Sequence, residues 1–233
     1  MRSHAFGRQT KAFAAAFPHT VPVLLGFFVL GAAFGMLMQS SGFSPMWALF
    51  MSAVAFGGSV QFAAIPLLLS PFDPIGAFLL SLMVNARHLF YGLSMLEKYS
   101  SLGLRRLFLI FGLCDETFSI VSSAEIPDDV EPGDFYLAVT FLDYFYWTFA
   151  SFLGAAAGSL ILFDTTGMDF ALTALFVVLF LEQMKKKENR VFGWIGAGCA
   201  LAARLLFGAD GMVLPAMAAI LAVLLLGRRR LCK

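Results

Sequence analysis

Apolar windows of about 20 residues, the length that crosses a hydrocarbon core, recur along the whole chain, and its charges are gathered in the short stretches between them. Eight runs follow this pattern: Val21–Met38, Met46–Leu69, Ile75–Leu96, Leu107–Ser123, Phe135–Phe163, Met168–Met184, Val191–Phe207 and Met212–Leu226. With 60% of the 233 residues hydrophobic and 13% charged, against about 25% charged in an ordinary soluble domain, most of the chain cannot face water. The pattern predicts an all-α, polytopic integral membrane protein of about eight hydrophobic helices, or seven to eight if one is broken or re-entrant. A net charge of +1 gives no footing for nucleic-acid binding, and the basic clusters are better read as topology signals. Cys114, Cys199 and Cys232 are an odd, scattered set that implies no disulfide framework. Met1–Phe17 lacks the short apolar core and small-residue cleavage site of a secretory signal, so the first helix is expected to be retained.

Against this background Arg87 stands out. It lies near the middle of the run Ile75–Leu96, within Asn85-Ala86-Arg87-His88 and one turn before Tyr91. An arginine at membrane depth costs roughly 2.5–3.5 kcal/mol on insertion scales, so it marks a functional site by default. At about 100° per residue, Ser81, Asn85 and His88 share one stripe and Arg87, Tyr91 and Ser94 another, which predicts a helix inside the bundle. The run Met46–Leu69 is interrupted by Phe56-Gly57-Gly58-Ser59-Val60-Gln61. Paired glycines weaken a helix, and bare backbone at membrane depth is tolerated only when buried or lining a cavity. An unwound, substrate-facing break and a continuous helix with a packing notch both fit. Asp115 and Glu116, adjacent acids within a span, need a cation, a proton or water. Phe135–Phe163 is too long for one perpendicular span and carries the stripe Thr140, Asp143, Trp147 and Ser151, for which a headgroup position is one of the two expectations.

The halves of the chain show an internal repeat. Leu30-Gly31-Ala32-Ala33-Phe34-Gly35 matches Leu153-Gly154-Ala155-Ala156-Ala157-Gly158, and Ala48-Leu49-Phe50 matches Ala174-Leu175-Phe176. This suggests repeat halves 1–123 and 134–233 of a single domain, joined by the acidic loop 124–133; duplicated halves meeting at a midplane site are a common transporter plan. If all eight runs cross once, both termini and Lys185-Lys186-Lys187 are cytoplasmic, but the loop with Lys98, Arg105 and Arg106 falls outside. A re-entrant Gly57-Gly58 segment, with Met168–Met184 as its counterpart, would bring every basic loop inside and invert the halves. Met168–Met184 has no glycine or proline break, which favours the single crossings; the choice stays open.

Four motifs in order, Gly58-Ser59-Val60-Gln61-Phe62, Asn85-Ala86-Arg87-His88-Leu89-Phe90-Tyr91-Gly92-Leu93-Ser94, Leu113-Cys114-Asp115-Glu116-Thr117-Phe118 and Gly167-Met168-Asp169-Phe170-Ala171-Leu172, resemble the AzlC family, the large subunits of bacterial branched-chain amino acid exporters. The resemblance covers most of the chain. It implies export of valine, leucine, isoleucine and in some members methionine, in the bacterial cytoplasmic (inner) membrane, together with a small membrane subunit of the AzlD type and with no cofactor. Ala86, where a bulkier residue is expected, and Cys114, where threonine is more usual, depart from the family pattern and bear on substrate detail.

A zwitterionic substrate needs an anion site, a cation site and an apolar pocket. Arg87 suits the carboxylate through its planar fork, helped by free N–H groups at the Gly57-Gly58 break, and Asp115 or Glu116 suits the ammonium. The substrate-binding candidates are therefore Gly57, Gly58, Ser59, Gln61, Asn85, Arg87, Tyr91, Asp115, Glu116 and Thr117, with His88, Asp115 and Glu116 as proton-relay candidates. Two structural roles compete with these: an Arg87 ion pair with Asp115 or Glu116 that clamps two helices, and a His88 hydrogen-bonded to Asn85 or a carbonyl. Neither H-E-x-x-H nor G-x-S-x-G is present, which weighs against an intramembrane enzyme. A channel, or a structural subunit of a membrane complex, competes with the exporter more closely than an enzyme does.

Overall fold

A computed structural model describes residues 2–160, 177, 180, 181, 184, 185, 187 and 190–231. Among these residues there are ten helices and no strand: α1 Arg2–Ser40, α2 Pro45–Ala55, α3 Ser59–Leu69, α4 Pro74–Asn85, α5 Arg87–Tyr99, α6 Arg105–Phe111, α7 Asp115–Ser123, α8 Pro132–Leu160, α9 Arg190–Gly211 and α10 Val213–Leu231. The chain forms two compact units, Met1–Asp169 and Phe170–Lys233. Among the described residues two helical stretches, Gly7–Ser40 and Arg190–Gly208, are long and apolar enough to cross a bilayer by length and composition. The Gly167–Leu172 motif and most of the Met168–Met184 run lie outside the described residues.

In the first unit α1 and α8 form the central post. Their contacts climb both helices together: Arg8 on Asp134 at 2.6 Å, Phe13 on Phe141, Phe27 on Trp147, Gly31 on Ala150 and Gly158 on Gln39. The two helices therefore run in the same direction. A Cβ added to Gly35 would meet the backbone of Ser151 and Ala155, and one added to Gly154 would meet the backbone of Ala32. Small residues here let two backbones touch, the device that replaces hydrophobic driving force inside a membrane. The stretches matched in the repeat, Leu30–Gly35 and Leu153–Gly158, supply this contact. α1 starts well before the expected Val21, and it carries Pro18 and Pro22 inside a 39-residue helix. The hydroxyl of Thr20 donates to the Phe17 carbonyl at 3.0 Å, serving one backbone group near the prolines.

The remaining helices of this unit are arranged around the post as broken pairs. α5 descends toward the start of α8, since Tyr99 lies on Tyr136 with ring centroids 6.0 Å apart. α7 runs alongside α5: Arg87 meets Asp115, Tyr91 stacks on Phe118 at 4.6 Å, and Lys98 Nζ donates to the Val121 carbonyl at 2.8 Å. α6 runs the opposite way, with α8, from Arg105 on Asp134 at 2.8 Å up to Phe111 on Tyr144. So α6 and α7 form a hairpin that rises from the N-terminal end of the post and turns back at Gly112-Leu113-Cys114. Ala86 keeps right-handed helical angles (φ −55, ψ −30), which makes α4 the upward continuation of α5. Hence α3, joined to α4 by Ser70–Asp73, ends at the upper face, where α2 begins beside the end of α1. α2 and α3 are a second hairpin, entering from above and turning at Phe56-Gly57-Gly58.

These directions alter several expectations. Leu107–Ser123, read as one run, is the α6–α7 hairpin, and Ile75–Leu96 is divided at Ala86 into α4 and α5 without a change of direction. Eight single crossings put Arg105 opposite the N-terminus, whereas Arg105 and Arg8 share the carboxylate of Asp134. Asp134 itself, which borders the acidic loop in the sequence, is 5% exposed within the first turn of α8. Within this unit α4 and α5 do not stand in the interior; they expose Ile75, Phe78, Leu82, Leu89, Phe90, Leu93 and Leu96. Of their two polar stripes, Arg87 and Tyr91 meet α7, while Ser81 and Ser94 are exposed.

The second unit is described through α9 and α10. α9 contains a non-helical residue, Gly208 (φ 75, ψ −177), where the chain kinks in a region of backbone space open to glycine. The Arg190 guanidinium donates through Nε to the Met184 carbonyl at 3.0 Å.

Candidate functional site

The tips of the two hairpins approach each other beside α8: Phe56 lies 6.3 Å from Phe111 between ring centroids, and Tyr144 packs on both. At the upper tip Phe56 is left-handed (φ 31) and Gly58 has φ 35 and ψ −90, conformations that Gly58 tolerates and Phe56 holds only because neighbours fix it. The fixing group is Gln61. Its Oε1 accepts from the Gly57 N–H at 3.3 Å and from Trp147 Nε1 at 2.7 Å, while its Nε2 donates to Ser52 Oγ at 3.0 Å. Gln61 and Ser52 are fully buried. Tyr144 adds a hydrogen bond from its hydroxyl to the Ala53 carbonyl at 2.9 Å. Gln61, a substrate-binding candidate by sequence, therefore has three protein partners and works as a stitch between the tip and α8.

Arg87 sits between the two tips. Its Nη2 donates to Ser59 Oγ at 3.1 Å, and its Nη1 forms an ion pair with Asp115. Ser59 opens α3 and Asp115 opens α7, so two helix N-termini approach one guanidinium; in α3 the N–H groups of Val60, Gln61 and Phe62 are already bonded to the Gly57 and Gly58 carbonyls. Asp115 at the first position of α7 is favoured by the dipole of that helix; Arg87 escapes a penalty because α4 continues through Ala86 into α5. Arg87 Nε, Asp115 Oδ1 and Asn85 Oδ1 are buried and make no hydrogen bond within the protein. His88 Nδ1 lies 3.2 Å from the Asn85 carbonyl and its ring meets Tyr91 edge to face. Glu116 is half-buried one residue beyond Asp115. Among the described residues no group of three or more His, Cys, Asp or Glu is placed to hold a metal ion.

Thr117 points the other way, toward α8. It is fully buried, its hydroxyl donates to Asp143 Oδ2 at 2.8 Å, and Cys114 Sγ lies 3.2 Å from the same hydroxyl. Asp143, Thr140 and Ser151 are also fully buried, and Trp147 is 3% exposed. The headgroup placement weighed for this stripe is thus replaced by an interior one: α8 turns its polar face to the hairpin tips and its apolar face, with Phe141, Phe145 and Phe149, outward. Ser52, Asp143, Tyr144 and Trp147 escape the sequence-based choice of site residues; the regular spacing of the α8 stripe is the available signal for two of them.

A cavity of about 600 Å³ runs from the upper tip down between α5 and α6. Phe56, Gly57, Asn85, His88, Met95 and Phe111 line it, and Arg106 stands at its lower end. The site thus offers a guanidinium, a carboxylate, unpaired polar atoms and an adjoining mostly apolar space.

Comparison with known proteins bears on this arrangement. Residues 22–161, the segment holding both hairpins, α8 and the second half of α1, match the family model described as AzlC protein. The chain is 46% identical over 222 residues to the branched-chain amino acid transport protein AzlC of Bacillus subtilis, covering 95% of this chain and 87% of that protein. It is 39% identical to an uncharacterized membrane protein of Helicobacter pylori over 95% of this chain and 97% of that one. Inner membrane protein YgaZ of Escherichia coli is 24% identical over 181 residues, 73% of this chain and 72% of its own. No solved structure matches the chain.

Proposed function

Because the chain belongs to the AzlC family, a family of membrane transport, we propose that it is a secondary transporter that exports branched-chain amino acids, valine, leucine and isoleucine, with methionine as a further substrate, driven by the proton gradient. The observation that carries this reading is Arg87 held between two hairpin tips, bonded to Ser59 on one and Asp115 on the other, with buried polar atoms beside it that no protein group uses. A substrate carboxylate takes Arg87 in place of the Ser59 hydroxyl; its ammonium takes Asp115 and Asn85; its branched side chain enters the cavity beside Phe56, Met95 and Phe111. An apolar pocket separates aliphatic side chains by only about 1–3 kcal/mol per methylene, so related amino acids share the route.

In the bilayer, α1, α4–α5 and α8 cross, and the hairpins α2–α3 and α6–α7 enter from opposite faces. The face carrying Arg8, Lys98, Arg105 and Arg106 is cytoplasmic by its basic residues, so the N-terminus is inside. The run Arg228-Arg229-Arg230 assigns the C-terminus to the cytoplasmic side of the inner membrane by the same rule. The repeat pairs α1 with α8, and their common direction supports a duplication without inversion of these two helices. The apolar face left by α4 and α5 suits lipid or a small AzlD-type subunit.

Valine counterflow in liposomes containing the purified chain tests the reading. Saturable exchange that Arg87→Gln abolishes is expected. Non-saturating conductance would replace the transporter with a channel, and absence of flux until a small subunit is added would make the chain one part of the export unit.

A further inference from the structure

Asp143 is a buried acid that the substrate site does not use. It is fully buried near the middle of α8; Oδ2 accepts from Thr117 and Oδ1 makes no hydrogen bond in the protein. An ionised carboxylate in such a place requires a cation or several donors. The groups that face it come from α7, namely Cys114, Thr117 and Glu116, and none is cationic. The cations of the other packed elements are engaged elsewhere: Arg8 and Arg105 on Asp134, Lys11 on Asp129, Arg87 on Asp115, and Lys98 on the Val121 carbonyl. Arg106 of α6 stands at the lower end of the cavity. His19 of α1 lies against Phe135, two turns before Asp143, His88 is held at the Asn85 carbonyl, and neither α2 nor α3 has an ionisable side chain.

We propose that Asp143 is the residue that carries the coupling proton, and that the first turn of α7 links it to the substrate site. The proposal rests on the export reading above. Asp115 and Thr117 are two residues apart in one helical turn, one pairing with Arg87 and the other with Asp143. The tip of α7 cannot withdraw Asp115 from Arg87 without moving Thr117 on Asp143. In the arrangement seen, Asp143 holds its proton because water and cations are excluded. When substrate engages Arg87 and Asp115 and the tip shifts, the Thr117 contact breaks, water reaches the carboxyl, and the proton leaves to it; reprotonation from the other face resets the tip. His88, by contrast, is a wall of the cavity.

The full chain in liposomes tests this with two readouts. The infrared carbonyl band of a protonated carboxylic acid is expected in the wild type at neutral pH and is expected to be lost in Asp143→Asn; an unchanged band overturns the proposal. Asp143→Asn is expected to keep valine counterflow and to lose proton-driven accumulation by about tenfold or more, one decade in the driving equilibrium. Retained accumulation with an unchanged pH profile overturns it, and so does equal loss of both activities in a folded variant. Should Asp143→Asn fail to fold, Thr117→Val leaves the carboxyl in place and is expected to displace the pH at which the band disappears; an unmoved midpoint overturns the proposal. A wild type that moves no valine yet shows the Asp143 band overturns the export reading and leaves the proton site standing.

Discussion

The two hairpin tips solve the same problem, a chain reversal beside α8, in different ways. The α2–α3 tip is made of glycines and a left-handed Phe56, and it is stitched to α8 by neutral hydrogen bonds through Gln61, Trp147, Ser52 and Tyr144. The α6–α7 tip uses an extended Cys114 (φ −112, ψ −179), and its contacts are an ion pair and a hydroxyl on an acid. Neutral stitches make a fixed wall. Charged and titratable contacts can be exchanged for substrate, water or protons, so the α6–α7 tip is the part that can move.

Arg87→Gln strikes both tips and should have the largest effect. It leaves Asp115 without its cation; with the two side chains 33% and 27% exposed, the cost lies below the ~3–5 kcal/mol of a fully buried pair; valine counterflow should fall to background, and thermal unfolding in detergent should drop. Gln61→Ala separates the tips. It strands Trp147 Nε1 and Ser52 Oγ at about 1–3 kcal/mol each, so the melting temperature should fall, while the pH dependence of transport by the protein that remains folded stays as it was. A changed pH profile with unchanged stability would reverse the roles assigned to the two tips. Asp115→Asn breaks the same pair from the other side but leaves an amide oxygen for Arg87: transport should weaken about tenfold through a raised KM, the loss of one charge-assisted hydrogen bond of about 1.5 kcal/mol, and stability should fall by less than in Arg87→Gln. Export retained at wild-type KM would remove Asp115 from the substrate site. The smallest effect belongs to Lys11→Gln, remote from both tips. Hydrogen bonding and charge from Lys11 hold Asp129 below its ordinary 3.8, so this pair favours the folded protein above the ordinary carboxylate range and loses that contribution as pH falls through the lowered value. The variant should lose this acid-side dependence of melting temperature and leave transport unchanged.

What is legible in the sequence follows from chemistry that shows in one residue. Arg87, Asp115 and Glu116 stand out because an apolar run cannot hide a charge, and the upper break is one of the two readings that Gly57-Gly58 allows, since paired glycines weaken a helix without forbidding it. The lower break is not legible. Gly112 alone within Leu107–Ser123 is an ordinary packing glycine, and only the pairing of α6 with α8 and of α7 with α5 reveals the reversal. The interruption at Ala86 has no sequence mark, since its angles stay helical. Asp143 is visible as a residue but not as a depth: its placement depends on which face α8 turns to α7. The direction of the connectors is open in the sequence for the same reason, and Arg8 and Arg105 meeting on Asp134 puts the start of α6 at the same end of the unit as the start of α1.

The guanidinium shared by Ser59 and Asp115 has a consequence for affinity. Ser59 offers Arg87 an oxygen where a substrate carboxylate would bind, and Arg87 offers Asp115 a cation where an ammonium would bind. On the proposed reading the Asp115–Arg87 pair is a tethered competitor for a substrate ammonium, present at a constant and high effective concentration, while the neutral Ser59 hydroxyl is a weaker stand-in for a carboxylate. A substrate that brings both charges would replace both internal contacts, at the expense of apparent affinity, and without it the two tips would stay latched through Arg87.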